Sequence, residues 1–115
     1  MAYDEALAQR IRDLLHDEPA VDGHELAEKR MFGGLAFLVG GNMAVAASGQ
    51  GGLMVRVDPA EGDALVASTP AYPMEMRGRS MTGWLRVDLG DVASDDALAA
   101  WVRRGSSYAA TLPAK

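Results

Sequence analysis

At 115 residues, with 49% apolar content and a formal charge of −5 at pH 7, the chain is long enough for one domain over 1–115 and too short for two ordinary ones. The absence of cysteine excludes a disulfide framework and a thiol nucleophile, and two histidines, His16 and His24, are too few imidazoles for a closed zinc site. No apolar run approaches the roughly 20 residues that span a bilayer, and the charged N-terminal segment lacks a signal-peptide core, so a cytoplasmic protein with no membrane attachment is expected.

Leu7, Ile11, Leu14 and Leu15 make one stripe at helical spacing, which predicts a first helix over 4–16. Asp4 and Glu5 sit where the helix dipole favours negative charge. Pro19 discourages continuation, and 21–28 reads as a polar connector.

From Lys29 onward the apolar period changes to two. Gly33-Gly34 lacks the Lys-Ser/Thr ending and glycine spacing of a phosphate-binding loop and is expected to be a bend or bulge before a strand. Leu35, Phe37 and Val39 alternate with Ala36 and Leu38, and Gly40-Gly41-Asn42 suits a tight hairpin. Met43, Val45 and Ala47 continue the alternation, which assigns Met43 to the same core face as Val45. After a glycine-rich turn at 49–52, Leu53, Val55 and Val57 alternate with Met54, Arg56 and Asp58, so Met54 shares the opposite face with Arg56.

Asp58-Pro59-Ala60-Glu61 has the form of a capping box and predicts a short helix to about 67, weakened by Gly62. Residues 73–77 and 83–88 read as a second pair of strands, with Arg77-Gly78-Arg79-Ser80 as the turn between them. Ser94 is placed to cap a last helix whose first turn carries Asp95 and Asp96, with Leu98, Trp101, Val102, Tyr108 and Leu112 on one face. The order α-β-β-β(-β)-α-β-β-α predicts an α+β, two-layer sandwich: a mainly antiparallel sheet with helices on one face.

Several ordered segments resemble the N-terminal domain of the TfoX/Sxy family. They are Arg30-Met31-Phe32-Gly33-Gly34 with Asn42-Met43; Leu53-Met54-Val55-Arg56-Val57; Pro73-Met74, Arg79-Ser80-Met81 and Gly83-Trp84; and Ala99-Ala100-Trp101-Val102. Together they span most of the chain. The resemblance implies a small α+β domain with a regulatory or interaction role and no reaction. Full-length members of that family add a C-terminal helical domain and regulate natural competence; this chain is expected to be a stand-alone N-terminal module.

Chemistry-bearing residues are few. No serine has a nucleophile-elbow context, and neither histidine has a nucleophile or second ligand at a recognisable spacing, so no catalytic residue, metal or cofactor is expected. Arg30 and Arg56 are flanked by apolar residues, where a guanidinium needs an anionic or carbonyl partner. They would form an anion pocket closed by Arg79, or else structural ion pairs with Glu25, Glu28, Asp58 or Asp88. If the second sheet face is uncovered, Met54, Arg56 and Trp84 form a mixed apolar and basic surface suited to a partner.

Three functions follow in order of preference. The first is a non-enzymatic regulatory module that presents a sheet face bearing Arg30, Arg56, Arg79 and Trp84 to a protein partner or to its own copy. The second is a small-molecule or nucleotide sensor using the arginines as an anion site. The third is a nucleic-acid-associated transcriptional regulator contacting its target through Arg77, Arg79 and Arg86. Residues 29–86 do hold six basic side chains against four acidic ones, but the overall acidity disfavours direct phosphate-backbone binding.

Overall fold

A computed structural model gives the structure of the protein and describes residues 3–31, 33–76 and 78–114. The first helix, α1 (Glu5–His16), starts where Asp4 accepts the Leu7 N–H at 3.0 Å, and it buries Leu7, Ala8, Ile11 and Leu15. A 3₁₀ turn, Pro19–Val21, follows. The chain then forms β1 (Leu26–Met31), β2 (Gly34–Val39), β3 (Asn42–Ala47) and β4 (Leu53–Arg56) as an antiparallel meander. After a second 3₁₀ turn, Pro59–Glu61, come α2 (Gly62–Ser68), β5 (Tyr72–Met76) and β6 (Arg79–Val87). A third 3₁₀ turn, Leu89–Val92, leads into α3 (Asp95–Thr111), which Ser94 caps by accepting the Ala97 N–H at 3.1 Å. All six strands share one antiparallel sheet in the order β1-β2-β3-β4-β6-β5, the expected α+β class.

Three local expectations are corrected. The polar connector ends early, because β1 begins at Leu26: its ladder with β2 sets the strand, and its charged, exposed residues carry no alternation of their own. Arg79 and Ser80 belong to β6 rather than to a turn. Met43 lies on the opposite face from Val45, because β3 inserts Ala44 between the Phe37↔Val45 and Leu38↔Met43 pairs, and a one-residue bulge reverses side-chain parity. Phe32 of the glycine-containing motif and Arg77 lie outside the described residues.

One face of the sheet carries Leu35, Phe37, Val45, Leu53, Val55, Leu85 and Val87, and α1 and α3 close it with Leu7, Ile11, Leu98, Trp101 and Val102. α3 approaches the sheet closely at Gly105. A Cβ there would stand 2.5 Å from the Ala44 carbonyl oxygen and 2.9 Å from Val45 Cγ1, so only glycine lets α3 settle onto the β3 bulge. Buried Ser106 returns its hydroxyl proton to the Val102 carbonyl at 2.6 Å and so enters the apolar layer without an unpaired donor.

The other face is not left uncovered, so the mixed apolar and basic surface of Met54, Arg56 and Trp84 that an open face would present does not form as such. Ala36, Met43, Ala46, Met54 and Met74 form a second buried cluster, rimmed by Met31, Leu38 and Trp84, and every member comes from a strand. Met54 retains 3% of its surface. A cross-strand row explains this: Ala36, Ala46 and Met54 are successive register partners. The small alanines leave room over the middle of the sheet, and flexible thioethers from β3, β4 and β5 fill it. Among the described residues the only large apolar side chains left exposed are Tyr72 and Leu89.

Candidate functional site: an aromatic-held arginine at the end of the sheet

The last residue of β4, Arg56, is the register partner of Trp84 on β6. Parity puts both on the side away from Val55 and Leu85, and both are half-buried. The Arg56 guanidinium carbon stands 5.3 Å from the Trp84 ring and 5.8 Å from the ring of Tyr108, which arrives from α3. Cation–π attraction of this kind contributes about 0.5–1 kcal/mol per ring at a partly exposed site. It fixes the guanidinium while leaving its N–H groups uncommitted: among the described residues Arg56 has neither a carboxylate partner nor a hydrogen bond.

The backbone around it is tightly specified. Val57 donates its N–H to the Gly83 carbonyl at 2.8 Å. Gly83 has φ +84°, and a Cβ on it would stand 3.1 Å from the Val57 carbonyl oxygen and 3.2 Å from Pro59 Cγ. Glycine is therefore what lets β6 approach the turn after β4 and set Trp84 against Arg56. The register between β5 and β6 shifts over this stretch, from Pro73↔Leu85 to Glu75↔Ser80, so β6 bulges as it passes the site.

Beside Tyr108 lies a cleft of about 520 Å³ between α3 and the Pro59–Glu61 turn, lined by Asp58, Glu61, Arg103, Arg104, Ser107 and Tyr108. Asp58 is partly committed, since its carboxylate accepts the Ala60 N–H at 2.9 Å. Arg103 reaches buried Glu18 at 3.1 Å and pins α3 to the segment after α1. Arg104 lies 4.7 Å over Trp101. The cleft thus combines one cation held over an aromatic ring, Arg104, with hydroxyls from Ser107 and Tyr108, beside the carboxylates of Asp58 and Glu61. Such a set can accept a carboxylate or phosphate from a partner or small molecule by charge-assisted hydrogen bonds.

Of the four residues named from sequence, the structure brings Arg56 and Trp84 together. Arg30 is exposed on β1, with β2, β3 and β4 between its strand and β6, and Arg79 is exposed at the start of β6. Glu28, one suggested partner of the arginines, is taken by Arg12 of α1, whose Nε and Nη2 both donate to it, the second at 2.8 Å. That hydrogen-bonded pair holds the Glu28 carboxyl below its usual range and raises the Arg12 guanidinium. Arg30 needs no partner, because solvent reaches it. Sequence reasoning missed Tyr108 and Arg104. Tyr108 was assigned to the core face of α3, and the signal that could have separated it is its position one turn after Arg104, beside the buried stripe.

Among the described residues no cluster of histidine and acidic side chains is placed to hold a metal ion, and no helix is long and apolar enough to cross a membrane. The family model for the TfoX N-terminal domain matches residues 22–109, from the segment before β1 to the last turns of α3. No curated protein and no solved structure matches the chain.

Proposed function

Because the chain belongs to the TfoX N-terminal domain family, whose setting is competence-type regulation, we propose that it acts as a non-enzymatic regulatory domain over 1–115 that docks a protein partner. The docking point is the sheet end around Arg56. One observation carries this reading: a half-buried guanidinium gripped by Trp84 and Tyr108, with no carboxylate of its own among the described residues. An acidic side chain on a partner would satisfy it, and a preformed, rotamer-restricted arginine loses little entropy on binding. Arginine and tryptophan are also the residue types that dominate interface energetics.

The test is affinity capture with the wild-type chain beside Arg56→Ala and Trp84→Ala, with circular dichroism to confirm the fold. A partner held by the wild type and lost from both variants supports the reading; equal capture by all three contradicts it.

The cleft favours a second reading. Arg104, Ser107 and Tyr108 converge there on a space large enough for a small phosphorylated molecule, so an anion sensor would use the same arginine end. A ligand that binds only the folded chain raises the melting temperature. Thermal-shift measurements with nucleotides and phosphorylated metabolites at millimolar concentration therefore separate the two, and no shift removes the sensor.

A further inference from the structure

The two edges of the sheet are built differently. At one edge, β5 carries Pro73 and a break in register, both of which discourage strand addition. At the other, β1 pairs with β2 without interruption from Leu26↔Val39 to Met31↔Gly34, contains no proline, and leaves Ala27, Glu28, Lys29 and Arg30 exposed.

The hydrogen-bond phase of that edge follows from one contact. Gly40 donates its N–H to the Glu25 carbonyl at 2.8 Å, in register with the β1–β2 ladder. Glu25, Ala27, Lys29 and Met31 therefore turn their backbone groups toward β2, and Leu26, Glu28 and Arg30 turn theirs outward. Those outward groups have no partner among the described residues.

We infer that β1 pairs antiparallel with β1 of a second copy of this chain, in the register that sets Glu28 opposite Arg30 of the partner copy. An isologous two-fold contact must join outward residues to outward residues, which leaves few registers. Centring on Glu28 opposes two like carboxylates. Centring on Arg30 opposes two like guanidiniums, and centring on Ala27 opposes Leu26 to a charge. Centring on Lys29 alone gives two Glu28–Arg30 pairs, one on each side of the axis, and sets Ala27 against Met31 beside the thioether cluster. In that arrangement Glu28 lies between Arg12 of its own α1 and the incoming Arg30, while the two Lys29 side chains meet at the axis on the solvent side and splay into water. This surface is separate from the Arg56 end of the sheet, and the inference does not depend on the docking role given to that end.

The test is the molar mass in solution by sedimentation equilibrium across a concentration series. The wild type is expected to be a dimer. Arg30→Glu places like charges opposite each other at both pairs and is expected to weaken the dimer at least about tenfold. Glu28→Lys is expected to do the same, and mixing these two variants restores a dimer containing one chain of each. Arg30→Pro removes an outward N–H without touching the β1–β2 ladder; it guards against loss of fold in Glu28→Lys, which also loses the Arg12 pair, and should give a folded monomer. A wild type that stays monomeric at high concentration, or a dimer that survives both Arg30→Pro and Arg30→Glu, overturns the inference.

Discussion

The two faces of the sheet are sealed by different means. The helix-side face is built from branched and aromatic side chains locked between β2, β3, β4 and two long helices. The opposite face closes on itself, with alanines in the middle strands and methionines lying over them. The first is stiff and jigsaw-packed; the second is adaptable and has no layer above it. The difference teaches where such a domain can meet its surroundings. With both faces covered, the contacts proposed for the domain fall on the uncommitted guanidinium of Arg56 at the end of the sheet and on the outward backbone groups of the β1 edge.

Mutations break this comparison in a graded way. Leu98→Ala on the helix side, in a fully buried position, should cost about 3–5 kcal/mol, read as a shift in the urea midpoint. Met54→Ala on the self-covered face should cost about 2 kcal/mol, at the low end for a buried methionine, because the neighbouring thioethers can collapse into the space. Met54→Leu should stay below about 1.5 kcal/mol. If Met54→Ala costs as much as Leu98→Ala, the two faces are equally rigid and the contrast fails.

Two glycines sharpen the same contrast. Gly105→Ala gains about 1 kcal/mol of helix propensity, yet its Cβ collides with the Ala44 backbone. The net effect should be a loss of about 1–2 kcal/mol. Gly62→Ala at the start of α2 meets nothing within 4 Å, and should stabilise by about 0.4–1 kcal/mol.

The smallest effect is electrostatic. Glu28 is held below its ordinary value by the Arg12 hydrogen bonds, so the pair contributes fully above the ordinary glutamate value of 4.5 and is lost as pH falls through the depressed one. Both side chains are about a third exposed, which limits the contribution to a few tenths of a kcal/mol. Arg12→Gln should abolish that part of the acid dependence and leave stability unchanged once the pH is well below the depressed Glu28 value.

Much of the fold was legible because local signals agreed. Ser94 caps the helix it was expected to cap, Asp4 stands at the start of α1 where its charge was expected, though as the cap rather than within the helix, and the alternation of Leu53, Val55 and Val57 matches the core. What failed were features set by distant pairing. Edge strand β1 has no pattern of its own, the Ala44 bulge that reverses Met43 is a feature of the β2–β3 pairing and lies under Gly105 of α3, and the closure of the methionine face depends on register across three strands. The candidate site was half legible for the same reason. Arg56 and Trp84 were singled out by type and neighbours, whereas Tyr108 joins them from a helix remote in sequence.

The most direct test of the self-sealed face is methionine oxidation by dilute hydrogen peroxide, followed residue by residue by mass spectrometry at protein concentrations low enough to hold the chain monomeric. Met54, at 3% exposure, should oxidise far more slowly in the native chain than in urea, and Met43 and Met74 should be protected with it. Oxidation of Met54 at the same rate in both conditions would show an open sheet face and contradict the account.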